Sequence, residues 1–114
     1  MSIRLEKPFT PLSEEALKNL PGQTGVFQLA DQSDNLLAIG FAGGRSLFGI
    51  RSELPLELER LRAAGFQPTS YRLEVNTAYL TRFQELLMLH LSDFGELPVG
   101  QADHALKLGR LSPG

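Results

Sequence analysis

A chain of 114 residues, 42% of them hydrophobic and 21% charged, has the make-up of one globular domain, with length for a real core but not for two. It contains no cysteine, which excludes disulfide frameworks, thiolate metal sites and cysteine nucleophiles together. A formal charge of −2 and a pI near 5.6 argue against the broad basic footprint of a general nucleic-acid binder, and the absence of any long apolar run argues against a membrane span.

Residues 1–11 carry two prolines and no sustained period, so they read as an extended lead-in. No apolar block followed by a cleavage site occurs there, and a cytoplasmic location is the expectation. Ser13 stands where a helix N-cap belongs, with Glu14 and Glu15 in the first turn, and a short helix over 13–20 follows, stopped by Pro21-Gly22. Two apolar runs, 25–30 and 36–41, are bounded by Gly, Asp and Asn and read as strands. They are apolar on both faces, which calls for layers on both sides of the sheet. The five residues between them suit an antiparallel hairpin, Asp31 making an Asx-turn and Asn35 tolerating positive φ.

Gly43-Gly44 breaks the pattern, and a helix is expected from near Ser46, with Leu47, Ile50 and Leu54 on one side. Gly49 weakens it, Pro55 kinks or restarts it, Leu58 and Leu61 continue the stripe, and Gly65 is a C-cap candidate. The run 70–75 alternates, placing Tyr71, Leu73 and Val75 toward the core and Arg72 and Glu74 outward. Asn76-Thr77 caps the longest helix, 78–92, with Tyr79, Phe83, Leu86, Leu87, His90 and Leu91 as its apolar face and Gly95 and Pro98 as its stop. A last short helix is expected over 102–108. The order predicts an α+β fold: a three-stranded antiparallel sheet flanked by helices.

Gly25-Val26-Phe27, about ten residues, Ala38-Ile39-Gly40, a helix bearing Arg51, a third strand and a helix bearing Glu85 together resemble the GIY-YIG nuclease domain. The Pro-Gly-x-x-Gly-Val lead into the first strand agrees as well, and the likeness covers about 21–98. It implies a single endonuclease-like domain with a Mg²⁺-dependent phosphodiester-cutting site. One motif tyrosine falls on Phe27 and the other on Ala38, and neither side chain can transfer a proton. The arginine that contacts the scissile phosphate falls on Arg51, with Arg45 a competing choice. The metal-binding glutamate falls on Glu85.

The resemblance with these substitutions implies a module that has lost cleavage and binds nucleic acid or a protein. Arg45, Arg51, Arg60, Arg62 and Arg72 would form the nucleic-acid face. The alternatives are an active endonuclease with an altered base, and a homo-oligomeric interaction domain using Phe41, Phe48 and Phe94. His90 and His104 have no metal-ligand spacing, and Gly43-Gly44 lacks the lysine and further glycines of a phosphate loop.

Overall fold

The computed structural model describes residues 5–101. The expected helix over 102–108 lies outside them. The elements in chain order are β1 (Thr10–Pro11), α1 (Glu14–Lys18), β2 (Gly25–Ala30), β3 (Leu36–Ala42), α2 (Ile50–Ala63), β4 (Ser70–Val75) and α3 (Tyr79–Phe94). The fold is α+β, and its antiparallel sheet has four strands in the order β1-β4-β2-β3, not three. The added strand is two residues long: Thr10 pairs with Tyr71 and Pro11 with Ser70. No side-chain period can announce a strand of two residues, and this one exists only because β4 offers it a free edge.

Strand β2 is the centre of the sheet, with all six of its residues buried. Its register with β3 runs from Gly25↔Ala42 to Leu29↔Ala38 and then slips, so that Ala30 meets Leu36 and Leu37 is the extra residue of a bulge. The hairpin turn uses Asp31 as expected, its Oδ1 accepting from Ser33 N at 2.9 Å and Asn35 N at 3.0 Å. Positive φ falls on Asp34, at 61°, instead of on Asn35. The Asp31 carboxylate is held below its usual range, chiefly by the Asn35 amide.

Alternation along the strands divides the core in two. Phe27, Leu29, Ala38 and Ala42 face α2 and pack with Ile50, Leu54 and Leu61. Val26 and Ile39 face α3 and pack with Phe83, Leu86 and Leu87. Helix α1, capped by Ser13 Oγ accepting from Ala16 N at 3.0 Å, joins the α2 side, where Leu20 is part of the cluster and Leu12, Leu17, Tyr71 and Leu73 pack against it.

Helix α2 starts at Ile50, four residues after the expected position. Gly49 has φ 57° and lies so close to Gln23 that a Cβ there would overlap the Gln23 backbone, while Ile50 N donates to Gln23 O at 3.0 Å. That contact pins the start, and Leu47, outside the helix, is 82% exposed. Pro55 lies inside one unbroken helix, and the buried stripe is Ile50, Leu54, Leu58 and Leu61. On β4, Val75 is exposed and not part of the core. Helix α3 buries Phe83, Leu86 and Leu87 but leaves Leu91 exposed, because only its first three turns lie over the sheet. Gly95, in the left-handed conformation at φ 79°, ends it.

Candidate functional site

The positions that the GIY-YIG resemblance assigns to tyrosines sit on adjacent strands facing α2. Phe27 is 2% exposed and Ala38 is 0% exposed, both within the aliphatic cluster that α2 closes. Phe27 pairs across the ladder with Gly40 and lays its ring over that glycine, where a Cβ would overlap the ring tip. The glycine is there for the ring, since its φ is not in the left-handed region.

Arg51 is at the start of α2. Its Nε donates to Leu20 O at 2.9 Å and its backbone N donates to Pro21 O at 3.0 Å, tying α2 to the end of the α1 segment. Glu85 is on α3, which packs on the opposite face of the sheet. Its carboxylate is paired with Arg82 Nη1, and Arg82 Nε also donates to Glu74 Oε2 at 2.9 Å. Arg51 and Glu85 are therefore on different sides of the sheet. A guanidinium already neutralises Glu85, and among the described residues no group of three or more His, Asp or Glu is arranged to hold a metal. The carboxylate that the resemblance assigns to Mg²⁺ is thus engaged by Arg82.

The Glu74–Arg82–Glu85 chain is a charge-assisted network on a half-buried surface. Burial pushes the Glu74 carboxyl up, but hydrogen bonds from Arg82 and Asn76 outweigh it and leave the pKa lowered. Arg82 is held above its ordinary value by the two carboxylates, against the opposing effect of burial.

The five arginines grouped by sequence do not make one face. Arg60 pairs with Glu57 and donates to Gly100 O. Arg72, expected to point outward, is half-buried on the α3 side. There its Nε donates to Gln28 Oε1, its Nη1 donates to Lys7 O at 3.0 Å, and its guanidinium lies 4.3 Å over the Phe9 ring. Arg45 is exposed in the loop between β3 and α2, and Arg62 is exposed on α2.

A groove of about 650 Å³ opens at the β3 edge, between the first turns of α2 and the start of α3. Phe27 and Gly40 form its floor, Arg45, Glu53 and Arg60 its polar wall, and Leu56, Tyr79 and Leu80 its apolar wall. Tyr79 was expected in the core. It is half-buried, stacked on Phe41 at 5.9 Å between ring centroids, and its hydroxyl accepts from Gly44 N at 3.2 Å. Phe41 is correspondingly half-buried between Tyr79 and Phe83 and is not an exposed contact residue, unlike Phe48 and Phe94.

The groove is closed at one end by Gln101. Its side-chain amide donates to Ile39 O at 2.7 Å and accepts from Ile39 N at 2.8 Å, continuing the ladder as a strand would. Sequence reasoning missed Gln101, Gln28 and the Glu74–Arg82 pair. Each acts through a partner far along the chain, and the only local signal was a polar residue at an apolar position, Gln28 within β2.

No helix among the described residues is long and apolar enough to cross a membrane. No curated protein matches this sequence. A family model described as a domain of unknown function, DUF7508, matches residues 3–93, and the chain belongs to that family.

Proposed function

We propose that the domain is a GIY-YIG-like module that does not cut nucleic acid and acts by binding, with a protein as the favoured partner. The observation that carries the reading is the burial of Phe27 and Ala38 in aliphatic packing. A phosphodiesterase needs a positioned base and a group for the leaving oxygen, and proton transfer of that kind is worth about 10²–10⁴-fold. Neither position has a proton to move or solvent to receive one.

The remaining family positions serve structure. Arg51 ties α2 to the Leu20 carbonyl, and Glu85 belongs to the Arg82 network. Arginines divided between two faces, three of them already engaged, supply little of the continuous basic surface that phosphate binding uses. Leu56 and Leu80 on the groove wall are more than 40% exposed and give a protein segment apolar surface to cover.

A second reading, a metal-dependent endonuclease with an altered base, has one observation in its favour: the Tyr79 hydroxyl lies in the same groove as the Phe27 ring and Arg45.

The experiment is a cleavage assay with Mg²⁺ and Mn²⁺ on branched, supercoiled and single-stranded DNA and on RNA, with Glu85→Ala, Arg51→Ala and Tyr79→Phe prepared alongside. A gel shift across a salt series accompanies it. The expected result is no cleavage that any substitution removes and no salt-dependent shift. Cleavage abolished by Glu85→Ala and Arg51→Ala would overturn the reading, and its loss in Tyr79→Phe as well would identify the base. A steep salt dependence without cleavage would replace the protein partner by nucleic acid.

A further inference from the structure

A second cavity, of about 680 Å³, lies on the α3 side of the sheet at its β4 end. Its base is made by Gln28 and Arg72, and Leu36, Leu86, Leu89 and Leu97 line its sides. We propose that this cavity binds a small monocarboxylate with an apolar body, its carboxylate received by Arg72 and Gln28.

The chemistry of the base determines the sign of the ligand. A guanidinium only donates hydrogen bonds. Gln28, 4% exposed, must therefore turn Oε1 toward Arg72 Nε, which leaves its Nε2, a donor, facing elsewhere. Among the described residues that Nε2 meets no acceptor, and Ser70 Oγ is the buried side-chain atom left wholly enclosed without a partner, so the Gln28 amide opens to the cavity. Arg72 uses Nε on Gln28 and Nη1 on Lys7 O, and among the described residues no carboxylate is paired with it. Its Nη2 is left over.

Two donors, one of them charged, thus belong to side chains that line the same cavity and bond each other through Arg72 Nε and Gln28 Oε1. That donor pair is complementary to a carboxylate. Burial lowers the Arg72 pKa, with the Asp34 charge opposing, and the guanidinium remains charged.

The rim limits what the ligand can be. Glu6, Asp34, Asp93 and Glu96 stand around the mouth. Exposed carboxylates are screened by salt, whereas the half-buried donors below them are screened less, so a single negative charge can pass and bind, while phosphates and dicarboxylates meet repulsion. The volume lies within the range of small-molecule sites, and the lining leucines suit an aliphatic or aromatic body. The inference is independent of the proposed loss of nuclease activity, since the cavity shares no residue with the β3-edge groove.

The test titrates the protein with hexanoate, 1-hexanol and hexylamine, following the Gln28 side-chain amide and the Arg72 Nε–H by ¹H–¹⁵N NMR. Hexanoate is expected to saturate and to move both signals, with 1-hexanol weaker by about tenfold or more, the usual worth of a charge-assisted contact. Gln28→Glu is the decisive variant. It places a carboxylate on Arg72, keeps the buried pair and the fold, and is expected to abolish hexanoate binding with an unchanged or raised Tm. Arg72→Gln should do the same if it folds. Equal binding of hexanoate and 1-hexanol, preference for hexylamine, no saturable binding by wild-type protein, or full affinity in Gln28→Glu would each overturn the proposal.

Discussion

On the α2 side of the sheet the strands bury only apolar groups. Phe27, Leu29, Ala38 and Ala42 meet Ile50, Leu54 and Leu61, and Tyr71 and Leu73 of β4 pack against the same cluster with Leu12, Leu17 and Leu20 around α1. On the α3 side the same strands begin in the same way, with Val26 and Ile39 against Phe83, Leu86 and Leu87. Then they turn polar at Gln28, Arg72 and Glu74. The difference is one of cover. A helix is about 10–12 Å across and strands lie about 4.8 Å apart, so one helix shields two strands and not three. The α2 face has a second helix in α1; over β4 the α3 face has only the extended segment that carries Lys7 and Phe9. There the sheet carries charge and amide groups that bond one another in part and line a cavity.

The comparison can be broken most directly by emptying one side. Phe83→Ala removes the ring at the centre of the α3-side cluster and is expected to cost about 3–5 kcal/mol, measured by urea unfolding. A cost below about 1 kcal/mol would mean that the α3 face is not a packed core.

Gly40→Ala probes the other side. The new methyl overlaps the Phe27 ring, which is too enclosed to move away, and a loss of about 1–3 kcal/mol is expected. Combining it with Phe27→Leu should cost less than the two single changes together, because the overlap disappears with the ring. Strict additivity would show that the two positions do not press on each other.

The smallest effect concerns the polar end. The folded Glu74 pKa lies below its ordinary 4.5, so its contribution is complete at pH values above the ordinary one and is lost as pH falls through the lowered folded value. Glu74→Gln should therefore lower stability at pH 7 by about 1 kcal/mol or less, since both partners retain some exposure. The gap between variant and wild type should close as the pH is taken well below 4.5. A pH-independent gap would assign the effect to packing instead of to the ion pair.

Much of the fold was legible because its signals are local. The Ser13 cap with Glu14 and Glu15, the Pro21-Gly22 stop, the two glycine-bounded runs, the alternation of 70–75 and the Gly95 terminus each act within a few residues, and each marks an element close to its observed bounds. The site was legible only as a set of positions. That Phe27 and Ala38 lack hydroxyls is plain from residue type; that both are sealed under α2 is a property of packing.

By itself the sequence determined the number of long elements, their order and the two-sided cover of the sheet, since periodicity and capping depend on near neighbours. Tertiary structure alone decided the pairing of Thr10–Pro11 with β4, the start of α2 where Gly49 meets Gln23, the separation of Arg51 from Glu85 by the sheet, and the meeting of Gln28 with Arg72. Each joins residues tens of positions apart, and no local preference encodes which distant partner will be there when the chain closes.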